Sequence, residues 1–377
     1  MSTPRITVGL PVYKGADLIG KCLECLQRQT FGDFEAIISV DGSDVETAAA
    51  CQPFLTDPRF RMVVHPQRLD WSGKFNWLLQ QELQEFFCYR QHDDTTSPEF
   101  FEVLLRAADK EPNAAAVYCD CQFSGDLDGI EIAPSIEGDP RDRLSCYIEY
   151  LLSAVPVRGL IRRAAIRQAG LVRSDEFRAP MEVFVWLGKL LRWGNFRRVP
   201  EPLYYRLDHP RSFTNAYYRT TEDRKRAVQT TLFTGLLDAA MPLCRTPEER
   251  LIFHEFILDR IVTGWPAKES TLEKIVAECM ERLAVEGNTH LFRPEELSPL
   301  LQKLKRRPDV KLLERSRMRR LIFRIRQRSQ MARVIYPTSR TQRIIYQIRY
   351  LLEKLRDRTR ELSGDAPRAK RKRAKKR

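Results

Sequence analysis

The sequence predicts an α/β fold, a mostly parallel sheet flanked by helices, followed by an all-helical C-terminal region with a basic tail. Three observations carry this expectation. Short β-branched runs alternate with segments of helical spacing as far as residue 123; strand signals stop after Ser212; and the charge changes sign along the 377-residue chain. Strands alternating with helices build βαβ units, whose crossovers cover both faces of a parallel sheet.

Taken in order, ITVGLPV (6–12) is a strand, ADLIGKCLECLQRQ (16–29) has helical spacing, EAIISV (35–40) is a second strand and VETAAACQPFL (45–55) a helix. RMVVH (61–65), a helix around 73–83, FFCYRQ (86–91), a helix around 98–108 and AAAVYCDCQF (114–123) continue the series. Residues 219–241, 247–264, 270–286 and 293–306 then read as helices. Three regions are expected, at 1–215, 216–337 and 338–377.

Composition excludes several classes. An apolar fraction of 43% is too high for a wholly disordered chain, and 17 glycines with 22 prolines rule out a collagen-like one. No window approaches the roughly 18 consecutive apolar residues of a membrane span, and the N-terminus lacks a signal-peptide core, so a cytoplasmic location is expected. Nine cysteines, an odd and scattered set, predict free thiols. The pairs Cys22/Cys25 and Cys119/Cys121 lack a histidine at zinc-finger spacing and read as small core residues before a zinc or redox site.

Residues 1–215 hold 25 Lys and Arg against 30 Asp and Glu, residues 216–377 hold 39 against 20, and residues 303–377 alone hold 28 against 6. Around 343–355 the apolar residues Ile344, Ile345, Ile348, Leu351, Leu352 and Leu355 form one stripe on an otherwise basic helix. That pattern suits an anionic membrane surface, reinforced by the terminal PRAKRKRAKKR. Packing on the globular part with a solvated tail is the bland alternative, and nucleic acid, drawn by the same charge, is the weakest of the three.

In a parallel sheet, ligands bind beyond the carboxyl ends of the strands. There this chain places Pro11-Val12-Tyr13, Asp41-Gly42-Ser43-Asp44 and His92-Asp93-Asp94. Adjacent aspartates suit a hard cation, although Asp94 or Ser97 also serves as a cap for the following helix, and Asp41-Gly42 also reads as a turn.

The segments ITVGLPVY, VDGSD, LDWSGKFNW and HDDTTSPEFFEVL, followed by PMEVFVWLGKLLRWGNFRRVPEPLYYRLDHPRS (180–212), resemble in order the inverting family 2 glycosyltransferases of GT-A fold, over about residues 5–215. The resemblance implies a GT-A-type, Rossmann-like glycosyltransferase domain at 1–215. It implies transfer from a nucleotide-sugar donor to a glycan or lipid-linked acceptor, with Mn²⁺ or Mg²⁺ as cofactor, in envelope polysaccharide or glycoconjugate synthesis at the inner membrane face. On the matching positions it implies metal binding by Asp93 and Asp94 and nucleotide binding by Pro11, Val12, Tyr13, Asp41, Lys74, Asn76, Asp93, Arg206 and His209. Lys74 reads equally as a surface lysine.

Glu182 is the implied general base. The family pattern has Glu-Asp where this chain has Glu182-Val183, and a further Asp where it has Gln91. A one-residue shift onto Glu182, a base at Asp175 or Glu176, and a non-catalytic nucleotide- or glycan-binding descendant therefore stand as alternatives. Trp186 and Trp193 read as core before sugar platforms.

Overall fold

Apolar runs buried on both faces make the centre of the sheet. β1 (Ile6–Val12) and β2 (Phe34–Asp41) are enclosed along almost their whole length, as parallel strands covered by helices are. The computed structural model describes residues 4–125, 129–148, 154–173, 182–209 and 221–246, with Glu249, Arg250, Phe253 and Ile257. The remaining strands are β3 (Phe60–His65), β4 (Phe86–Tyr89), β5 (Thr95–Thr96), β6 (Ala114–Gly125), β7 (Gly129–Glu131), β8 (Leu160–Arg162) and β9 (Asn195–Asp208). Among the described residues they form one sheet in the order β3-β2-β1-β4-β8-β6-β9-β5, with β7 on β6.

The β3-β2-β1-β4 half is parallel throughout, with Ile6 opposite both Phe34 and Phe86. Its helices follow from spacing and capping. In α1 (Ile19–Gln27) the residues Ile19, Cys22, Leu23 and Leu26 fall on one buried stripe. Asp44 caps α2 (Val45–Cys51) by accepting from Thr47 N, and Asp70 caps α3 (Trp71–Leu79) by accepting from Gly73 N at 2.7 Å. α4 (Phe100–Lys110) buries Phe100, Phe101, Leu104, Leu105 and Ala108. Each expected strand and helix up to residue 123 is therefore present, with shifted ends.

The second half departs from the expected run. β8 lies antiparallel between β4 and β6, β5 pairs antiparallel with β9 through Thr96 and Tyr204, and β7 is antiparallel to β6. These strands span two or three residues, too short to show a period in sequence. β9, by contrast, is long and runs parallel to β6, Ala114 opposite Asn195. Gly194 permits that approach: a Cβ there would lie 2.5 Å from the Asn113 carbonyl oxygen.

α5 (Pro140–Cys146), α6 (Arg163–Ala169) and α7 (Glu182–Leu190) surround this half. Trp186 is buried core, its indole N–H donating to Gly170 O at 2.8 Å. Trp193 lies beyond the end of α7 and is 46% exposed, against the core reading. α8 (Glu222–Ala240) buries Leu232, Phe233, Leu236 and Leu237 in the same hydrophobic cluster, and Lys189 of α7 pairs with Asp238 at 2.7 Å. Of the expected 247–264 helix, Glu249, Arg250, Phe253 and Ile257 are described and helical; the helices expected at 270–286 and 293–306, the 338–377 segment, Ser212, Asp175 and Glu176 lie outside the described residues. The described cysteines are free, with Cys22, Cys119 and Cys121 in the core.

His65, ending β3, is buried against Trp77 and hydrogen-bonded to Ser39 Oγ at 2.8 Å. Burial, with the nearby Lys74 ammonium, lowers its pKa. The unfolded chain thus takes up a proton first as pH falls, and stability drops as pH decreases through about 6.5. Urea unfolding from pH 7.5 to 5 should show a decline of up to about 1.4 kcal/mol per unit of depression that is missing in His65→Gln; parallel pH profiles would exclude His65 as its source.

Candidate active site

Three strand ends and one helix converge on a cluster of polar residues. Asp41 ends β2 almost fully buried, and Lys74, on the first turns of α3, is 3.0 Å from its Oδ2. Asp41 Oδ1 accepts from Leu69 N at 3.2 Å, and the Lys74 ammonium also donates to Val12 O at the end of β1. Desolvation lowers the Lys74 pKa while Asp41 holds it up. One ion pair thus fastens the carboxyl ends of β1 and β2 to α3.

The residue after Val12 is Tyr13, whose ring carries the Arg68 guanidinium at 4.2 Å. Lys14 takes a left-handed φ of 52° and its N–H donates to Asp44 Oδ2, tying this turn to the α2 cap. Pro11, Val12, Tyr13 and Asp41 lie together at one corner of the sheet's carboxyl edge. Lys74 and Asn76, expected beside phosphates, are engaged elsewhere. Lys74 is buried on Asp41, and the Asn76 amide clamps one peptide, donating to Val172 O at 2.7 Å and accepting from Val172 N at 2.8 Å.

At the end of β4, Asp93 Oδ2 lies 3.1 Å from His209 Nε2, just past β9, and both side chains are partly accessible. His92 belongs to the same group: burial lowers its pKa, Asp93 raises it and His209 lowers it further. Asp94 is enclosed instead. It accepts from Tyr204 Oη at 2.7 Å and from Leu207 N at 3.1 Å, with Arg158 Nε at 3.8 Å. Burial, with Asp93 beside it, pushes its carboxyl up to about 6. Arg158 also donates to Gln91 Oε1 at 3.2 Å, so the amide standing where the family pattern has an Asp is held by a buried guanidinium.

These positions bear on a divalent cation. Among the described residues no three carboxylate, imidazole or thiol groups form a ready-made cage. Asp93 and His209 offer one oxygen and one nitrogen. That pair fits Mn²⁺ or Mg²⁺ bound through few protein groups, with substrate phosphates and water completing the shell. Asp94, expected as a second ligand, accepts inside the protein through both oxygens and ties β9 to the end of β4.

Arg206 on β9 has its guanidinium 5.0 Å over Phe123 and 3.8 Å from Glu131, near enough to Asp94 to pull that carboxyl's pKa down. Glu182 opens α7, 2% exposed, four residues before Trp186 and so on the same helix face, which packs edge-on against Phe75 of α3. Val183 is buried core. Sequence reading grouped His92 with Asp93 and Asp94 but assigned no role to Arg158, Arg68 or Tyr204. Arg158 and Arg68 stand in no motif, and only the fold brings them to the cluster.

Removing one partner of a buried ion pair strands the other's charge. Lys74→Met should cost about 3 kcal/mol in urea unfolding, and adding Asp41→Asn should recover a large part. A single variant within about 0.5 kcal/mol of the parent would mean the pair is dispensable.

The family description "Glycosyl transferase family 2" matches residues 7–149. EpsH of Bacillus subtilis (strain 168), which bears a provisional glycosyltransferase name, is 29% identical over 174 residues, 44% of this chain and 49% of EpsH. EpsJ of the same strain, an uncharacterized glycosyltransferase, is 21% identical over 235 residues, 58% of this chain and 66% of EpsJ. The match to EpsH spans about half of that relative's length. Among solved structures, residues 1–349 of S. aureus TarS in complex with UDP-GlcNAc align with a TM-score of 0.52 at 14% identity, over 75% of this chain and 92% of that one. At that identity the likeness is one of fold.

Proposed function

From a family 2 glycosyltransferase domain over residues 7–149, we propose that the chain transfers a sugar from a nucleoside-diphosphate sugar to a hydroxyl of a glycan or glycolipid, with inversion. The observation that carries this is the Asp93–His209 pair at the end of β4, held in place by the buried Asp94–Tyr204 contact. A carboxylate and an imidazole at a sheet's carboxyl edge suit a diphosphate and its cation. Asp93 and His209 would hold Mn²⁺ or Mg²⁺, which when bound offsets charge developing on the leaving diphosphate.

The chain's own residues supply the rest. Tyr13 and Arg68 form a cationic, aromatic wall suited to a base and its ribose. Asp41, fixed by Lys74 and Leu69 N, gives that corner a rigid floor. Glu182 is the carboxylate we assign as base, accepting the acceptor hydroxyl's proton as that oxygen attacks the sugar's anomeric carbon. A nucleotide- or glycan-binding protein without transfer is the second reading, favoured by Val183 being buried core where the family pattern has its Asp.

Thermal unfolding with UDP, GDP, CDP or dTDP, with and without Mn²⁺, tests the donor site. One nucleotide should stabilise the protein by a few kcal/mol at saturation, only with metal, and the shift should vanish in Asp93→Asn. No shift with any nucleotide would overturn the reading. Donor hydrolysis or transfer should fall 100-fold or more in Glu182→Gln while nucleotide binding persists; binding with no turnover in the parent would establish the second reading.

We also place the chain at an anionic membrane surface through its basic segment 303–377, the partner that segment's charge and apolar stripe support best. Among the described residues no helix is long and apolar enough to cross a membrane. The full chain should float with phosphatidylglycerol-containing vesicles but not with neutral ones, and should lose flotation when truncated after residue 302. Flotation unchanged by the truncation would refute this placement.

A further inference from the structure

A second cleft opens at the opposite edge of the sheet from Asp93. The starts of β6 and β9, side by side and parallel, form its floor, and the end of α7, the outer face of α6 and Arg143 of α5 form its walls. Its volume is about 590 Å³, within the range of pockets that enclose a ligand of one or two rings. Nothing in the catalytic reading uses it.

Its chemistry is specific. Trp193, nearly half exposed, lines the cleft, and the Arg192 guanidinium sits 5.7 Å over its ring. Arg192 Nε is buried without a hydrogen-bond partner, and no carboxylate pairs with Arg192 among the described residues. Arg143 adds a second cation. Its guanidinium donates to the carbonyls of Leu191 at 2.7 Å, Gly138 at 2.6 Å and Arg192 at 3.2 Å, and to Asn195 Oδ1 at 3.3 Å. Burial lowers its pKa while the nearby Asp139 carboxylate, which makes no direct contact with the guanidinium, raises it. The Gln168 amide stands at the rim.

An indole face accepts the flat, C–H-bearing face of a pyranose, and an uncommitted guanidinium accepts a carboxylate or phosphate in a forked geometry. We propose that this cleft is an accessory saccharide site that takes an acidic sugar unit, its ring against Trp193 and its anionic group on Arg192. As a grip on a growing acceptor it rests on the transfer reading above; as a binding site it does not. The cleft lies at the amino ends of the strands, so a chain held there reaches the catalytic edge only by passing around the domain. Acceptors of several units would therefore benefit, and single sugars would not.

Calorimetric titration of the full chain with tetragalacturonate, a neutral cello-oligosaccharide of equal length, and inorganic phosphate tests the proposal. The acidic oligosaccharide should bind at least tenfold more tightly than either of the others. Trp193→Ala and Arg192→Gln should each weaken it tenfold or more, Trp193→Phe should restore most of the affinity, and nucleotide-induced stabilisation should be unchanged in all three. No binding of the acidic oligosaccharide at millimolar concentration would overturn the proposal, as would binding that both variants leave intact. Equal affinity for phosphate alone would make this a plain anion site, and equal affinity for the neutral oligosaccharide would remove the role of Arg192; either result refutes the site proposed. Loss of nucleotide binding in the parent would sink the transfer reading and leave this one standing.

Discussion

The buried carboxylate of Asp94 is the tie on which the carboxyl edge of the sheet depends. It sits at the end of β4, in the parallel half of the sheet, and binds Tyr204 Oη and Leu207 N on β9. These strands are not neighbours in the sheet, since β8 and β6 lie between them. β5, directly after Asp94, pairs with β9 at Tyr204 and Tyr205, so the carboxylate and this short strand together fasten the end of β9. Burying a carboxylate is unfavourable unless hydrogen bonds and a countercharge offset desolvation. Tyr204, the Leu207 amide and Arg158 supply those, and the carboxyl still ends near pKa 6.

The same constraint explains Gln91. With Asp93 and Asp94 already adjacent, a third carboxylate one residue before His92 would add repulsion beside a group whose ionisation is already disfavoured. The amide there accepts from Arg158 without adding charge. Arg158 thus holds Gln91 and Asp94 from a short 3₁₀ turn far along the chain. A comparable economy governs the other corner, where Lys74 and Asp41 neutralise each other and fix β1 and β2 to α3. Charged residues in this cluster therefore divide in two. Buried pairs set the geometry, while Asp93 and His209 stay partly accessible.

The two edges of the sheet differ in the same terms. At the carboxyl edge, carboxylates and cations are interleaved, Asp41 with Lys74, Asp94 with Arg158 and Asp93 with His209. At the amino edge, Arg143 and Arg192 are satisfied by carbonyl dipoles or not at all, beside an exposed indole. Gly194 makes the second edge possible, because the close approach of its backbone to Asn113 leaves no room for a Cβ and draws the starts of β6 and β9 together.

By itself, the sequence determined the alternating strands and helices up to residue 123, the strand ends that carry Val12, Asp41 and Asp93, and the basic character of 303–377. Those features are local: a period of two or 3.6 residues, a capping aspartate and a run of charge are written in contiguous residues. Only the tertiary structure decided what the polar residues do. Lys74 was legible as a cation at the right distance from the strand, yet burial on Asp41 made it a structural partner, and Asn76 went to the Val172 peptide 96 residues away. β5, β7 and β8 had too few residues to show a period and exist because a neighbouring strand completes their hydrogen bonds. Whether a carboxylate such as Asp94 ties strands or meets a ligand is set by which groups pack around it, a property of the folded neighbourhood that no spacing along the chain encodes.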